Sequence, residues 1–175
     1  MRLLLHICCA PCLVYVHDKL TADEIQYEGF FYNPNIHPYL EYKRRLRTLQ
    51  EFTKGEGVLL TVRDSFLQPL WENDSEMCKF CYMLRLFETA RYAKQNGFTH
   101  FSTTLLVSPY QNHEMIVEAA KAAEKEYGVI FHYEDFRQGY RKGQEKARQQ
   151  NLYRQKYCGC IQSYHRSAIK DKITW

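Results

Sequence analysis

The chain has 175 residues, 45% hydrophobic and 25% charged, a composition that fits a folded globular protein and excludes a disordered one. No run approaches the roughly 18 consecutive apolar residues that cross a bilayer. The apolar stretch after Met1-Arg2 is too short for a signal peptide and ends in Cys8-Cys9, so a cytoplasmic protein is expected. The net charge of +4 divides into −4 for residues 1–135 and +8 for residues 136–175, and a strongly basic end calls for a polyanionic partner or a solvated basic helix.

In chain order, Leu3–Ile7 reads as a buried strand and Phe30–Tyr32 as the core of a second. Glu41–Phe52 has helical spacing at Leu46, Leu49 and Phe52 and is closed by Gly55 and Gly57. Val58–Val62 predicts a third strand. Cys81–Gln95 places Met83, Leu86, Phe87, Ala90 and Ala93 on one helical face, with Gly97 as the stop. Phe98–Leu106 is a fourth extended run. A helix from Asn112 or His113 would bury Ile116, Ala119, Ala120, Ala123 and Tyr127 before Gly128. Val129–His132 is a fifth strand, and a polar helix follows from about Lys142 to Gln150.

Alternating strands and helices imply right-handed crossovers and a mainly parallel sheet covered on both faces, in one α/β domain over residues 1–175 with a basic helical segment from about 136. Such sheets bind ligands beyond the carboxyl ends of their strands. Cys8, Cys9 and Cys12 follow the first strand, Asp64 the third, Thr103–Pro109 the fourth and Asp135 the fifth. Neither a Walker A loop nor a GxGxxG turn is present, so a phosphate cradle after the first strand is not expected.

Seven cysteines in a chain without a secretion signal point to metal or redox chemistry rather than a disulfide framework. Cys8 and Cys9 cannot both point into a core from one strand, because successive side chains face opposite ways. At a strand end, with Pro11 suited to the first turn of a helix, they can converge on a ligand. Cys78-Lys79-Phe80-Cys81 sets two sulfurs one helical turn apart, able to grip one metal or cluster. Cys158-Gly159-Cys160 can ligate, or can close a small, strained and easily reduced disulfide ring. Two sulfurs from each of the first two centres complete a four-thiolate site, which suits zinc and iron–sulfur equally. Cys158 and Cys160 then remain as a redox pair, with Cys12 as the odd thiol.

Other polar residues admit two readings. Tyr110 and His113 suit proton donation or a surface and capping role, and Asn33 and His37 suit base contact or a plain turn. Arg44, Arg45 and Arg47 suit phosphate contact or a solvated face. Tyr140, Tyr153, Tyr157 and Tyr164 are interleaved with the C-terminal cations, as stacking on unpaired RNA bases requires.

Taken as an ordered set, the segments resemble the QueH-type, cobalamin-independent epoxyqueuosine reductases. The matching pieces are His6-Ile7-Cys8-Cys9-Ala10-Pro11-Cys12, Tyr32-Asn33-Pro34-Asn35-Ile36-His37-Pro38, and Glu41-Tyr42 with Arg44-Arg45. Cys78 to Leu86 with Thr89-Ala90, Phe101 to Tyr110, and Tyr157-Cys158-Gly159-Cys160 near Ser163 complete the set. The resemblance implies a three-layer, Rossmann-like fold similar to the adenine-nucleotide α-hydrolases, with the nucleotide loop replaced by an iron–sulfur site. It implies as substrate a tRNA carrying epoxyqueuosine at the wobble position, deoxygenated with two electrons to queuosine.

Carried over by residue, Cys8, Cys9, Cys78 and Cys81 are implied ligands of a 4Fe–4S cluster, and Cys158 with Cys160 a redox-active disulfide. Cys12, helped by a carboxylate such as Asp64, is expected to hold an additional iron ion or the substrate beside the cluster. An electron donor of unspecified identity is also required. The competing readings are a zinc-stabilised, non-catalytic RNA-binding module and an ATP-consuming tRNA sulfur-transfer enzyme. The missing glycine-rich loop counts against the latter.

Overall fold

The computed structural model describes residues 1–67 and 74–168. Strand β1 (Leu3–His6) is buried at every position, as expected of a central parallel strand covered on both faces. It runs into helix α1 (Ala10–Ala22), with Pro11 near its start where a missing N–H is harmless. Strand β2 (Tyr27–Phe31), helix α2 (Tyr39–Gly55), strand β3 (Leu60–Val62) and helix α3 (Asp74–Gln95) follow. Then come strand β4 (His100–Thr103), helix α4 (His113–Tyr127), strand β5 (Ile130–Phe131), and helices α5 (Tyr140–Gln149) and α6 (Ile161–Arg166).

The five strands form one all-parallel sheet in the order β3-β2-β1-β4-β5. The chain winds outward from β1 to β3, then crosses back to start again at β4. Right-handed connections therefore place α1 and α2 on one face and α3 and α4 on the other. The contacts agree: α3 packs on α4, while α1 packs on α2 and α5. The result is a three-layer α/β fold whose winding reverses between β1 and β4.

The element boundaries differ from the sequence reading in informative ways. The fourth extended run stops at Thr103, whose side chain accepts the Leu105 N–H and turns Thr104–Val107 into a 3-10 helix. Helix α3 begins at Asp74, so Cys78 and Cys81 lie inside it rather than opening it. Helix α1 has no continuous polar stripe, because Leu13, Val14, Val16 and Leu20 are all buried, and periodicity alone gives it no outline. The predicted start of α4 holds, with the Asn112 side chain accepting the Met115 N–H and Gly128 closing the helix at φ 64°. Lys170, Asp171 and Lys172 of the basic end lie outside the described residues.

Helix α5 lies unusually close to α1. A Cβ at Gly139 would sit 2.0 Å from the Tyr15 ring, and one at Gly143 would sit 3.0 Å from Tyr15 Cβ. Only glycine permits that approach. The Lys146–Asp18 ion pair at 2.6 Å reinforces it. Helix α5 is thereby held beside the cysteine-bearing end of α1.

Candidate metal and redox centre

The geometry starts at His6, the last residue of β1. Its buried ring contacts Thr103 Oγ1 on β4 at 2.8 Å and Asn33 Oδ1 beyond β2 at 3.3 Å. Asn33 in turn donates to the Ile7 carbonyl at 2.8 Å. Burial, aided by Arg85, lowers the His6 pKa to about 4, so this ring is a neutral tie between three strands. Asn33 therefore acts as scaffold and is buried away from any base.

Immediately beyond this tie, the Sγ atoms of Cys8, Cys9 and Cys12 lie within 4.8 Å of one another, all buried. They stand at the carboxyl end of β1, beside the point where the winding reverses, as the rule for open α/β sheets anticipates. Thr104, the first residue of the 3-10 helix after β4, locks the group: its hydroxyl accepts the Cys8 N–H at 3.1 Å and donates to Cys8 Sγ at 3.4 Å. From the other side, Gln155 Nε2 donates to Cys9 Sγ at 3.0 Å.

The three thiols are electrostatically unequal. Hydrogen bonds from Cys12 and Cys9 hold Cys8 well below the usual thiol range. Burial pushes Cys9 upward, and the hydrogen bond with Cys8 raises Cys12. One thiolate cradled by two thiols is a donor set ready for a thiophilic metal.

Cys81 and Cys78 stand outside this trio, one turn apart on α3, the former buried and the latter half-buried. Burial raises the Cys81 pKa, and the negative fields of Cys158 and Cys8 add to it, so the three cysteine centres share one electrostatic neighbourhood. Cys158 is exposed and Cys160 half-buried. Hydrogen bonding from Cys160 pulls the Cys158 pKa to about 5, with help from Gln111 and the Arg85 and Arg45 cations. Gln111 Nε2 lies 3.3 Å from Cys158 Sγ, held by the Tyr82 hydroxyl at 2.7 Å. A cavity of about 360 Å³ joins Cys8, Cys12 and Cys158, with Arg45, Arg85, Tyr110 and Tyr140 also in its wall.

The structure corrects one reading among the arginines and leaves other expected residues away from the cysteines. Arg45 meets no phosphate: it is 2% exposed and holds the loop carrying Cys158, whereas Arg44 lies over the Tyr153 ring and Arg47 pairs with Glu51. Asp64 is exposed, accepts the Tyr42 hydroxyl at 2.7 Å and does not line the cavity. His113 contacts the Tyr133 hydroxyl at 3.1 Å, while Tyr110 is at the cavity, 82% exposed. Sequence reasoning passed over Gln111 and Gln155, and took in Thr104 and Arg85 only as members of the segments Thr103–Pro109 and Cys78 to Leu86, with no role given to either. Their only signal in the chain is proximity to cysteines or to strand ends, since a single Gln or Thr has no spacing pattern.

The family model described as "Epoxyqueuosine reductase QueH" matches residues 3–166. An epoxyqueuosine reductase QueH of Dehalococcoides mccartyi is 36% identical over 167 residues, covering 93% of this chain and 92% of that protein. The Thermotoga maritima protein of the same name is 35% identical, with 90% and 88% covered, and that of Acinetobacter baylyi is 35% identical, with 99% and 83% covered. With a match that runs from β1 to the end of α6, across all three cysteine centres, the chain belongs to the QueH family of epoxyqueuosine reductases, a family of oxidoreductases.

Proposed function

We propose that this protein reduces epoxyqueuosine in tRNA to queuosine, using a metal centre on its buried cysteines and the Cys158–Cys160 pair. The observation that carries the reading is one cavity bordered by both kinds of sulfur, Cys8 and Cys12 from the buried trio and Cys158 from the CxC loop. A structural zinc site is closed by its own ligands, whereas these thiols meet a space of about 360 Å³. That favours a reaction centre over a stabilising knot.

The donor chemistry fits an iron–sulfur group. Cys8, Cys9, Cys78 and Cys81 would hold a 4Fe–4S cluster, leaving Cys12 for an additional iron ion. When bound, such a cluster supplies single electrons and a Lewis-acidic iron. The chain's own part is distinct. Two electrons and two protons convert an epoxide into an alkene and water, and oxidation of the Cys158–Cys160 pair to a disulfide supplies both electrons and, with Cys158 as thiolate, one of the protons, water supplying the other. Gln111 and the Arg45-held backbone keep the Cys158 sulfur at the cavity. Partial enclosure limits water around the reacting carbons. The basic residues of α5 would meet the tRNA backbone.

Anaerobic incubation with epoxyqueuosine-tRNA and a chemical reductant, followed by nucleoside mass analysis, tests the reading. Queuosine should appear, and iron with labile sulfide should co-purify. Replacing Cys158 and Cys160 together by Ser should retain the iron and abolish multiple turnover. A colourless protein with one zinc and no conversion would sink the proposal in favour of an RNA-binding module.

A further inference from the structure

Arg85 on α3 is 2% exposed and yet forms part of the cavity wall. Its Nε and Nη2 donate to a single acceptor, Asn35 Oδ1, at 3.1 and 2.8 Å. Asn35 is neutral, so these bonds fix the guanidinium without cancelling its charge. Among the described residues no ion pair includes Arg85. Its neighbour in the cavity wall, Arg45, has the opposite arrangement, with Glu41 Oε1 at 2.7 Å. A buried cation without a counter-ion is strongly disfavoured, so the compensating charge must come from the cavity itself.

Cys158 lies in the same wall. The groups around it are Cys160 and Tyr157 from its own loop, Arg45 from α2, Arg85, Cys81 and Tyr82 from α3, Gln111, Tyr110, Tyr140 and Lys156, with Cys8 and Cys12 in the same wall. No carboxylate is among them. The anions available to Arg85 there are sulfurs, and Cys158 is one that the proposed cluster leaves free and that Arg85 helps hold as thiolate.

We propose that Arg85 is the fixed counter-cation of the cavity, balancing the Cys158 thiolate before turnover and the oxygen anion released from the substrate after it. The second half rests on the reductase reading. The balance is explicit: the Cys158 thiolate and the Cys160 thiol form an S–S bond and give up two electrons and one proton. The epoxide takes those electrons and that proton, loses both C–O bonds, and yields an alkene and hydroxide. One negative charge has moved from sulfur to oxygen within one cavity, and a cation held by neutral Asn35 can serve both. A carboxylate partner would have cancelled the field in both states.

The test compares Arg85→Lys, Arg85→Gln and Asn35→Asp in anaerobically purified protein. The last keeps Arg85 in place but offers it a nearly isosteric carboxylate. The pH dependence of Cys158 alkylation by iodoacetamide is read by peptide mass, alongside kcat and KM for epoxyqueuosine-tRNA. Arg85→Gln and Asn35→Asp should each raise the alkylation midpoint by about one pH unit or more. They should also lower kcat at least about tenfold, with KM within about twofold. Arg85→Lys should restore the midpoint. An unchanged midpoint in both charge-cancelling variants, or an equal shift in Arg85→Lys, would overturn the proposal. A shifted midpoint in a protein that never converts epoxyqueuosine would uphold the thiolate pairing and overturn the reductase reading with the oxygen role.

Discussion

His37 shows how one buried ring adds to the acid sensitivity of this protein, as His6 does. Its side chain is 2% exposed, packs edge-on against Phe66 at 5.0 Å, and has its Nδ1 atom buried without a partner among the described residues. Burial lowers its pKa from 6.5 to about 4. Between those values the unfolded chain takes up a proton that the folded protein refuses, so stability falls as pH drops through that window and no further below it. His37→Phe removes the titrating group and keeps an aromatic body. In urea unfolding, the loss of midpoint between pH 7 and pH 4.5 should be smaller for this variant than for the wild type. An identical loss would assign the acid sensitivity elsewhere.

At the scale of elements, α2 acts as the bracket for the redox loop. Glu41 and Arg45 lie one turn apart, fully buried, and Arg45 donates to the carbonyls of Cys158 at 2.8 Å and Tyr157 at 3.0 Å. The Tyr153 hydroxyl donates to Glu41, the Tyr157 hydroxyl to the His37 carbonyl, and the His37 N–H to the Gly159 carbonyl. Gly159 has φ 127°, and a Cβ there would sit 3.0 Å from Arg45 Nη1. Arg45→Met should cost about 3–5 kcal/mol in denaturant unfolding, because it strands a buried carboxylate. Glu41→Gln combined with Arg45→Met should cost less than Arg45→Met alone. Equal losses would mean that the ion pair itself contributes little and that the carbonyl bonds dominate.

Over the whole molecule, the basic end is less uniformly available than its charge implies. Arg137, Lys146 and Arg148 each face an acid, at 2.6, 2.6 and 2.8 Å. Arg141 and Lys142, exposed on α5, and Lys156 at the cavity are in none of the ion pairs of the described residues. Neutralising Arg141, Lys142 and Lys156 together should reduce the salt slope of tRNA binding by about 0.7–0.9 for each phosphate left without its cation, or roughly two to three units if all three meet phosphate. Arg148→Gln should change it much less, since its charge is already shared with Glu145. Filter binding from low to physiological salt separates the two outcomes.

The sequence by itself determined the alternation of strands and helices, the parallel sheet, and the strand ends where the cysteines gather. Each of these is written in local periodicity, in punctuation such as Gly128, and in residues adjacent along the chain such as Cys8 and Cys9. Which distant groups meet was decided only by the tertiary structure. Arg45 and Arg47 are near neighbours in sequence, yet one is buried against the Cys158 loop and the other pairs with Glu51 on the surface. Likewise Asp64 follows a strand as Thr104 does, but only Thr104 reaches a cysteine. The reason is physical: a polar side chain's role depends on what surrounds its charge. Those surroundings come from folded segments far apart in the chain, to which local periodicity is blind.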